Sequence, residues 1–419
     1  MNNKPALTPN VSNVIMPSAD PMTPVEKSYK SLWGKAESDD KHIFIISTVV
    51  QYFQGCWDYD WEVSVSKRVV VAMSGGVDSS VSAALLKEQG YDVVGVSLQL
   101  YDPVARDAAS RAKTCCSLDD VMDACRVAQK IDIPFEVIDF RAEFKQMVID
   151  NFIAEYAAGR TPNPCIKCND LIKFDLLLNK AQTMGADLLA TGHYVRITQH
   201  DEGFYQLRAG VDQTKDQSYF LFTLTQEQLS KIIFPVGELE KRRVRELADS
   251  FGLPVAQKHE SQEICFIPDN DYAGFLERNG LSQSHGDIVA VDGTVLGHHA
   301  GIHRYTVGQR KGLGIAWKKP LYVVSIDRKQ DRIVVAEESE LTRSHLTATR
   351  SSWVQVPTRS KFRASCRIRY RHTPAPCLVS LTSEECFEVS FDQPQFSVTP
   401  GQAAVLYDGD RVLGGGWID

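Results

Sequence analysis

Five apolar residues, Val69 to Met73, run directly into Ser74-Gly75-Gly76-Val77-Asp78-Ser79-Ser80, and a helical pattern follows at once, with Val81, Ala84, Leu85 and Leu86 on one face and Gly90 as its stop. An uninterrupted apolar run of this length reads as a strand buried on both faces, as in parallel sheets. Gly75 and Gly76 let the backbone turn tightly and approach an anion. The N–H groups at the helix start, with the Ser79 and Ser80 hydroxyls, can hold a phosphate. Asp78 repels bare phosphate and makes sense where it meets Mg2+ carried on one. No lysine follows the loop, which separates it from the usual kinase or GTPase phosphate loop. A Ser/Gly turn that only caps a helix would look similar in isolation. The placement between strand and helix favours a nucleotide site.

The rest of the N-terminal half repeats this alternation. Val93 to Leu98, Pro134 to Ile138 and Asp187 to Thr191 read as strands, and Asp119 to Ile131 reads as a helix. Strands alternating with helices imply a doubly wound α/β domain. After about residue 285 short β-rich runs and glycines take over, which reads as small β domains. The expected organisation is an extension over 1–66, a nucleotide-binding catalytic domain over 67–270, a central β-rich domain over 271–343 and a C-terminal β-barrel over 344–419. The extension is rich in Asn, Pro and Ser and contains no Arg, unlike a transit peptide. It is expected to be disordered or loosely attached, or to precede the true start. The longest near-apolar run, Ile43 to Val50, is far below the ~20 residues of a membrane span. The expectation is a cytoplasmic protein without a membrane partner. Its net charge of −7 means that a nucleic-acid partner needs a local basic surface.

Ten cysteines without a signal peptide point to metal or redox chemistry before structural disulfides. Cys165-Ile166-Lys167-Cys168 follows Thr161-Pro162-Asn163-Pro164, and the two prolines are expected to hold this segment extended, outside any helix. Cys265 follows Ser261-Gln262-Glu263-Ile264. A lone Cys-x-x-Cys fits half a zinc site, a redox pair or coincidence, and zinc would need two further ligands that no second such motif provides. Cys366, Cys377 and Cys386 read as small core residues. Cys115-Cys116 could line a site entrance or be buried.

Residues 361–371 alternate: Lys361, Arg363, Arg367, Arg369 and Arg371 fall on one side of a strand, with Phe362, Ala364, Cys366, Ile368 and Tyr370 on the other. Such a stripe wants phosphates or acids. Cross-strand acids such as Glu384 or Glu388 are the alternative partners. His193 follows Thr191-Gly192 at the end of a strand, where α/β sites collect, and either a site role or a capping role suits it.

These motifs, in this order, resemble the bacterial tRNA-specific 2-thiouridylases of the PP-loop ATP pyrophosphatase superfamily. The resemblance runs from Ala72-Met73-Ser74-Gly75-Gly76-Val77-Asp78-Ser79 through Gly159-Arg160-Thr161-Pro162-Asn163-Pro164, Cys168-Asn169 and Ala190 to Tyr194. It continues with Lys215 to Phe220, Ile264-Cys265-Phe266-Ile267, Gly308 to Gly314 and Thr399-Pro400-Gly401-Gln402. It implies ATP as cofactor, with Mg2+ reaching Asp78 through ATP, and Leu98 and Gly192 beside the adenosine. It implies Cys168 as nucleophile and Cys265 as carrier of a persulfide. It also implies tRNA contacts at Asn163, Pro164 and Cys165 beside the target base and at His193, Lys215, Asp216, Gln217, Arg369, Tyr370 and Gln402. The implied reaction replaces O2 of the anticodon wobble uridine of tRNAs for Lys, Glu and Gln with sulfur, releasing AMP and pyrophosphate. The sulfur would come from a donor such as a cysteine desulfurase or a sulfur relay protein. Some members carry Asp, with an acid/base role, where this chain has Cys165. Cys165, Cys168 and Cys265 could instead ligate a [4Fe-4S] cluster with one open corner that delivers sulfide. Two further readings stay open: another adenylating synthetase on the same loop with no essential cysteine, and an RNA-binding module that releases no AMP.

Overall fold

β1 (Arg68–Ala72) has neighbours on both edges, parallel β2 (Asp92–Gln99) on one and parallel β4 (Leu188–Thr191) on the other. The computed structural model describes residues 66–101, 118–259, 264–282 and 284–419. The expected extension up to residue 65, with Cys56, and the pair Cys115-Cys116 lie outside the described residues. β3 (Phe135–Asp139) extends the sheet beyond β2, and β7 (Ile232–Ile233) beyond β4, so the order is β3-β2-β1-β4-β7, all parallel. Val69, Val70 and Val71 are fully buried because the sheet is covered on both faces. Val69 and Val71 pack into one core with Val81 and Ala190, while Val70 packs into another with Val96 and Leu189. Side chains alternate along a strand, so one strand feeds two cores. Helices α1 (Val77–Glu88) and α2 (Leu118–Lys130) belong to this domain. The expected doubly wound sheet is present.

A hairpin of β5 (Val195–Gln199) and β6 (Tyr205–Ala209) leaves this sheet soon after β4. The central region forms a separate sheet of β8 (Gly286–Ala290), β9 (Val295–His299), β10 (Tyr322–Asp327) and β11 (Arg332–Ala336), in the order β10-β11-β8-β9. Its core holds Ile288, Val323, Ile333 and Val335. The C-terminal region is a closed antiparallel barrel of β12 (Thr342–Trp353), β13 (Lys361–Arg367), β14 (Ala375–Leu381), β15 (Phe387–Phe396), β16 (Ala403–Asp408) and β17 (Arg411–Ile418). The pairing of β12 with β17 closes it. Cys366 and Cys377 are buried in its core as expected, whereas Cys386 is half-buried. The early hairpin docks on this barrel, with Arg208 of β6 opposite Arg411 of β17. Among the described residues no helix is long and apolar enough to cross a membrane.

Two local expectations are corrected. The Cys-x-x-Cys segment is helical: α3 (Pro164–Lys167) starts at Pro164, and the Asn163 side chain accepts a hydrogen bond from the Cys165 amide. Proline in the first turn of a helix loses no hydrogen bond and already has a helical φ, so the prolines lead into a helix instead of preventing one. The basic run is not one strand either. β13 stops at Arg367, and His372 N–H bonds back to the Arg369 carbonyl in a turn.

Candidate active site

The chain moves outward from β1 to β2 and β3, then returns to the other side of β1 at β4. The crevice at the carboxyl ends of β1 and β4 is therefore the switch point where open α/β sheets bind ligands. Ser74 to Ser80 follows β1, and Gly192-His193 follows β4, so the two motifs meet there. The packing is close. A Cβ on Gly75, whose φ is +70°, would lie 2.1 Å from the Asp120 carbonyl oxygen, and one on Gly192 would lie 2.6 Å from the Ser79 amide nitrogen. Gly76 is the N-cap of α1 and offers no side-chain cap, which leaves the helix start to its own N–H groups. The serines are committed locally. Ser79 Oγ accepts from the Ser74 amide at 3.1 Å, and Ser80 Oγ, fully buried, donates to the Gly76 carbonyl at 2.7 Å. Leu98, near the end of β2, is buried in the core beside Val96 and Val70.

Asp78 has partners that the sequence reading did not supply. Lys241 Nζ donates to both its carboxylate oxygens, at 2.6 and 2.8 Å, and the Tyr194 hydroxyl donates to one at 2.7 Å. Lys241 opens helix α4 (Lys241–Ser250) and is almost fully buried. A second ammonium, Lys258 Nζ, lies 2.9 Å from the Gly75 carbonyl oxygen and 2.6 Å from a carboxylate oxygen of each of Asp120 and Asp123. Burial alone disfavours the charge on Lys258, but the two carboxylates outweigh it and hold its pKa above the ordinary value. Tyr194 stood in a motif from which only Gly192 and His193 were singled out. Lys241 and Lys258 stand in no motif at all.

Cys168 is the hinge between α3 and a stretch with i→i+5 bonding, Cys168–Leu176. Such widened turns recur at functional sites. The thiol is buried, and burial pushes its pKa up. Cys265 is half-buried, packs against the same core, and its carbonyl accepts a hydrogen bond from the Tyr101 hydroxyl at 2.6 Å. Cys165 is exposed. Next to Cys168, Asn169 Oδ1 is buried and has no hydrogen-bond partner, while its Nδ2 lies 3.5 Å from the Phe220 carbonyl. Among the described residues no three His, Cys, Asp or Glu side chains are grouped to hold a metal ion.

The residues expected on tRNA fall into three settings. His193 is buried against Phe174 and Phe234, with Nδ1 2.7 Å from Thr191 Oγ1. Burial, then the charge of Lys173, holds it neutral. Asp216 is also buried. Its carboxylate takes Arg367 Nη1 at 2.8 Å, the Ser218 hydroxyl and the Gly210 and Ser218 amides. Gln217 accepts from the Tyr194 amide at 3.0 Å. Through Asp216 and Arg367 the Lys215–Gln217 stretch is joined to β13, and Tyr370 packs on Phe220 with ring centroids 4.4 Å apart. Lys215 and Tyr370 remain partly exposed. Arg369 donates to the Phe396 carbonyl at 3.0 Å. Arg363 pairs with Asp392, so the acids that answer the basic run are Asp216 and Asp392 and not Glu384 or Glu388. Gln402 Nε2 donates to the Thr161 carbonyl at 2.8 Å, and the Thr161 amide donates to the Pro400 carbonyl at 2.9 Å. The barrel's Thr399–Gln402 turn thus clasps the loop that leads into α3.

Three family models cover this architecture in chain order. The tRNA methyl transferase HUP domain matches residues 67–269, the tRNA methyl transferase PRC-barrel domain 273–337 and the aminomethyltransferase beta-barrel domain 343–418. The tRNA-specific 2-thiouridylase MnmA of Geobacter metallireducens is 57% identical over 356 residues, 84% of this chain and 97% of that protein. The chain belongs to the tRNA-specific 2-thiouridylase family. The 2-thiouridylases of Geotalea uraniireducens and Trichlorobacter lovleyi are 55% and 51% identical, each over 84% of this chain and over 95% and 97% of their own lengths. The family and the α/β-plus-barrel fold expected from the motifs both hold.

Proposed function

We propose that this chain is a tRNA sulfurtransferase that converts the wobble uridine to 2-thiouridine in two steps, adenylation and sulfur transfer. The observation that carries the reading is the pairing of a lysine-free phosphate loop at the sheet's switch point with Cys168 and Cys265 on one core beside it. MgATP is the first substrate, its phosphates on Ser74 to Asp78 and its adenosine beside Leu98 and Gly192. Uridine O2 bonds to the α phosphorus, the Pα–O–Pβ bond breaks with its electron pair leaving on pyrophosphate, and the N3 proton is lost. Adenylation makes a poor leaving oxygen into AMP.

Sulfur then reaches C2. Cys265 carries a sulfane sulfur loaded by a desulfurase or relay protein. The Cys168 thiolate attacks Cys265 Sγ, which forms a Cys168–Cys265 disulfide and releases hydrosulfide. Hydrosulfide adds to C2 and expels AMP, and a dithiol reduces the disulfide for the next cycle. The segment with half-buried Asn163 and exposed Cys165 faces the target base in this scheme, and Lys215, Arg369 and Tyr370 receive the tRNA backbone. His193, Asp216 and Gln402 act through packing and positioning, given their buried or committed side chains.

The test is a reconstituted reaction of the full chain with MgATP, a cysteine desulfurase with cysteine, dithiothreitol and unmodified tRNA for Lys, Glu or Gln. The expected products are 2-thiouridine in the anticodon and one AMP and one pyrophosphate per sulfur inserted. AMP formation that ignores tRNA, or 2-thiouridine formed equally well by Cys168→Ser and Cys265→Ser, would overturn it.

A further inference from the structure

The phosphate loop has a missing charge. Ser74 to Ser80 contains no cation. Breaking ATP at the α–β bridge nevertheless concentrates negative charge on the departing pyrophosphate, and enzymes meet such charge with preplaced cations. Two ammonium groups reach the loop from far along the chain. Lys241 sits on Asp78 in the first turn of α1, and Lys258 sits on the Gly75 carbonyl. We propose that Lys241 and Lys258 are the cations that bind the pyrophosphate half of MgATP and stabilise it as it leaves. This rests on the ATP-cleaving reading above and extends it to residues with no assigned role.

The way both lysines are held suits an exchange of partners. Asp123, which takes one bond of Lys258, also takes Arg126 Nη1 at 3.0 Å, and Asp78 also takes the Tyr194 hydroxyl. Asp123 and Asp78 can therefore yield a lysine to a phosphate oxygen without being left unpaired, the state that makes breaking a desolvated pair costly. The lysine bonds also fix position. Lys258 ties the loop to α2 through Asp120 and Asp123, and Lys241 ties α1 to α4, so the cations stand at the loop before the nucleotide arrives. Preplaced charge of this kind needs no reorganisation during reaction.

Binding measurements on the full chain separate this role from simple packing. Calorimetry would compare pyrophosphate, MgATP and AMP on the wild type, Lys241→Met, Lys258→Met and the two Lys→Arg variants, with melting temperature recorded for each. In each Met variant pyrophosphate and MgATP should bind about tenfold to a hundredfold more weakly, the effect of one lost charge-assisted hydrogen bond. AMP should bind as before, because it lacks the pyrophosphate half that the proposal assigns to the lysines. The Arg variants should recover part of the loss. If a Met variant does not fold, the Lys→Gln variant at that position is read by the same criterion. Unchanged pyrophosphate affinity in the variants, AMP affinity falling in step with MgATP, or a wild type that does not bind pyrophosphate would each overturn the proposal. None of these measurements involves tRNA or sulfur, so failure of the thiolation reading would show in the reconstituted reaction and not here.

Discussion

Cys168 and Cys265 pack against one core but live under opposite conditions. Cys168 is buried where a short α-helical turn passes into a wider one, and burial raises its pKa. Cys265 is half-buried on an irregular segment held by the Tyr101 hydroxyl. A thiolate is the nucleophile, so the first setting suppresses reactivity and the second permits access. The difference teaches that the pair is asymmetric at rest. On the proposed mechanism, Cys265 would receive sulfur from outside, whereas Cys168 would stay silent until substrate alters its surroundings.

The sharpest way to break this comparison is to remove each thiol in turn. Cys168→Ser and Cys265→Ser should both lose 2-thiouridine formation entirely, but only Cys265→Ser should fail to take up radiolabelled sulfur from the desulfurase. Equal loading defects in both would erase the asymmetry. Timed alkylation with iodoacetamide, read by mass spectrometry, is the next test. Cys165 should react first, Cys265 next and Cys168 about tenfold or more slower, as buried protonated thiols do. Addition of MgATP and tRNA should narrow the gap.

Asn169 gives a smaller effect of unusual sign. A buried acceptor without a partner costs about 1–3 kcal/mol, so Asn169→Leu should leave the melting temperature unchanged or raise it while activity falls. A lowered melting temperature would show that the amide holds the fold. The smallest effect is in pH. The folded Cys168 thiol stays protonated above its ordinary pKa of 9.0, so the stability it gives is complete below that value and is lost as pH rises through the higher folded value. Denaturant melts from pH 7 to 10 should therefore fall more steeply for the wild type than for Cys168→Ser.

What the sequence disclosed follows from which forces are local. The β1–loop–α1 unit was legible because apolar runs, glycines and a helical stripe are all written within twenty-odd residues. Partners supplied by folding were not. Asp216 lies 151 positions from Arg367, Lys241 lies 163 from Asp78 and Lys258 lies 183 from Gly75, and no spacing rule links them. The basic run over 361–371 misled for the same reason. Its alternation was real over β13, but Asp392 of β15 and Asp216 of the loop after β6 had already claimed Arg363 and Arg367. At α3 the error was local: Pro164 ends most helical expectations, yet in the first turn it begins a helix.

The clasp between the Thr399–Gln402 turn and the Thr161 loop has a meaning for the chain as it is made. Gln402 reaches back 241 positions to the Thr161 carbonyl, and β17 reaches back to β6. Domains generally begin to fold from the amino end during synthesis. The nucleotide loop can therefore assemble while the ribosome is still working, but the helix with Cys165 and Cys168 gains its clasp only after the chain 241 positions beyond Thr161 has been made. A chain cut before Thr399 would keep the β1 loop and lack the fastening of the segment that leads into α3.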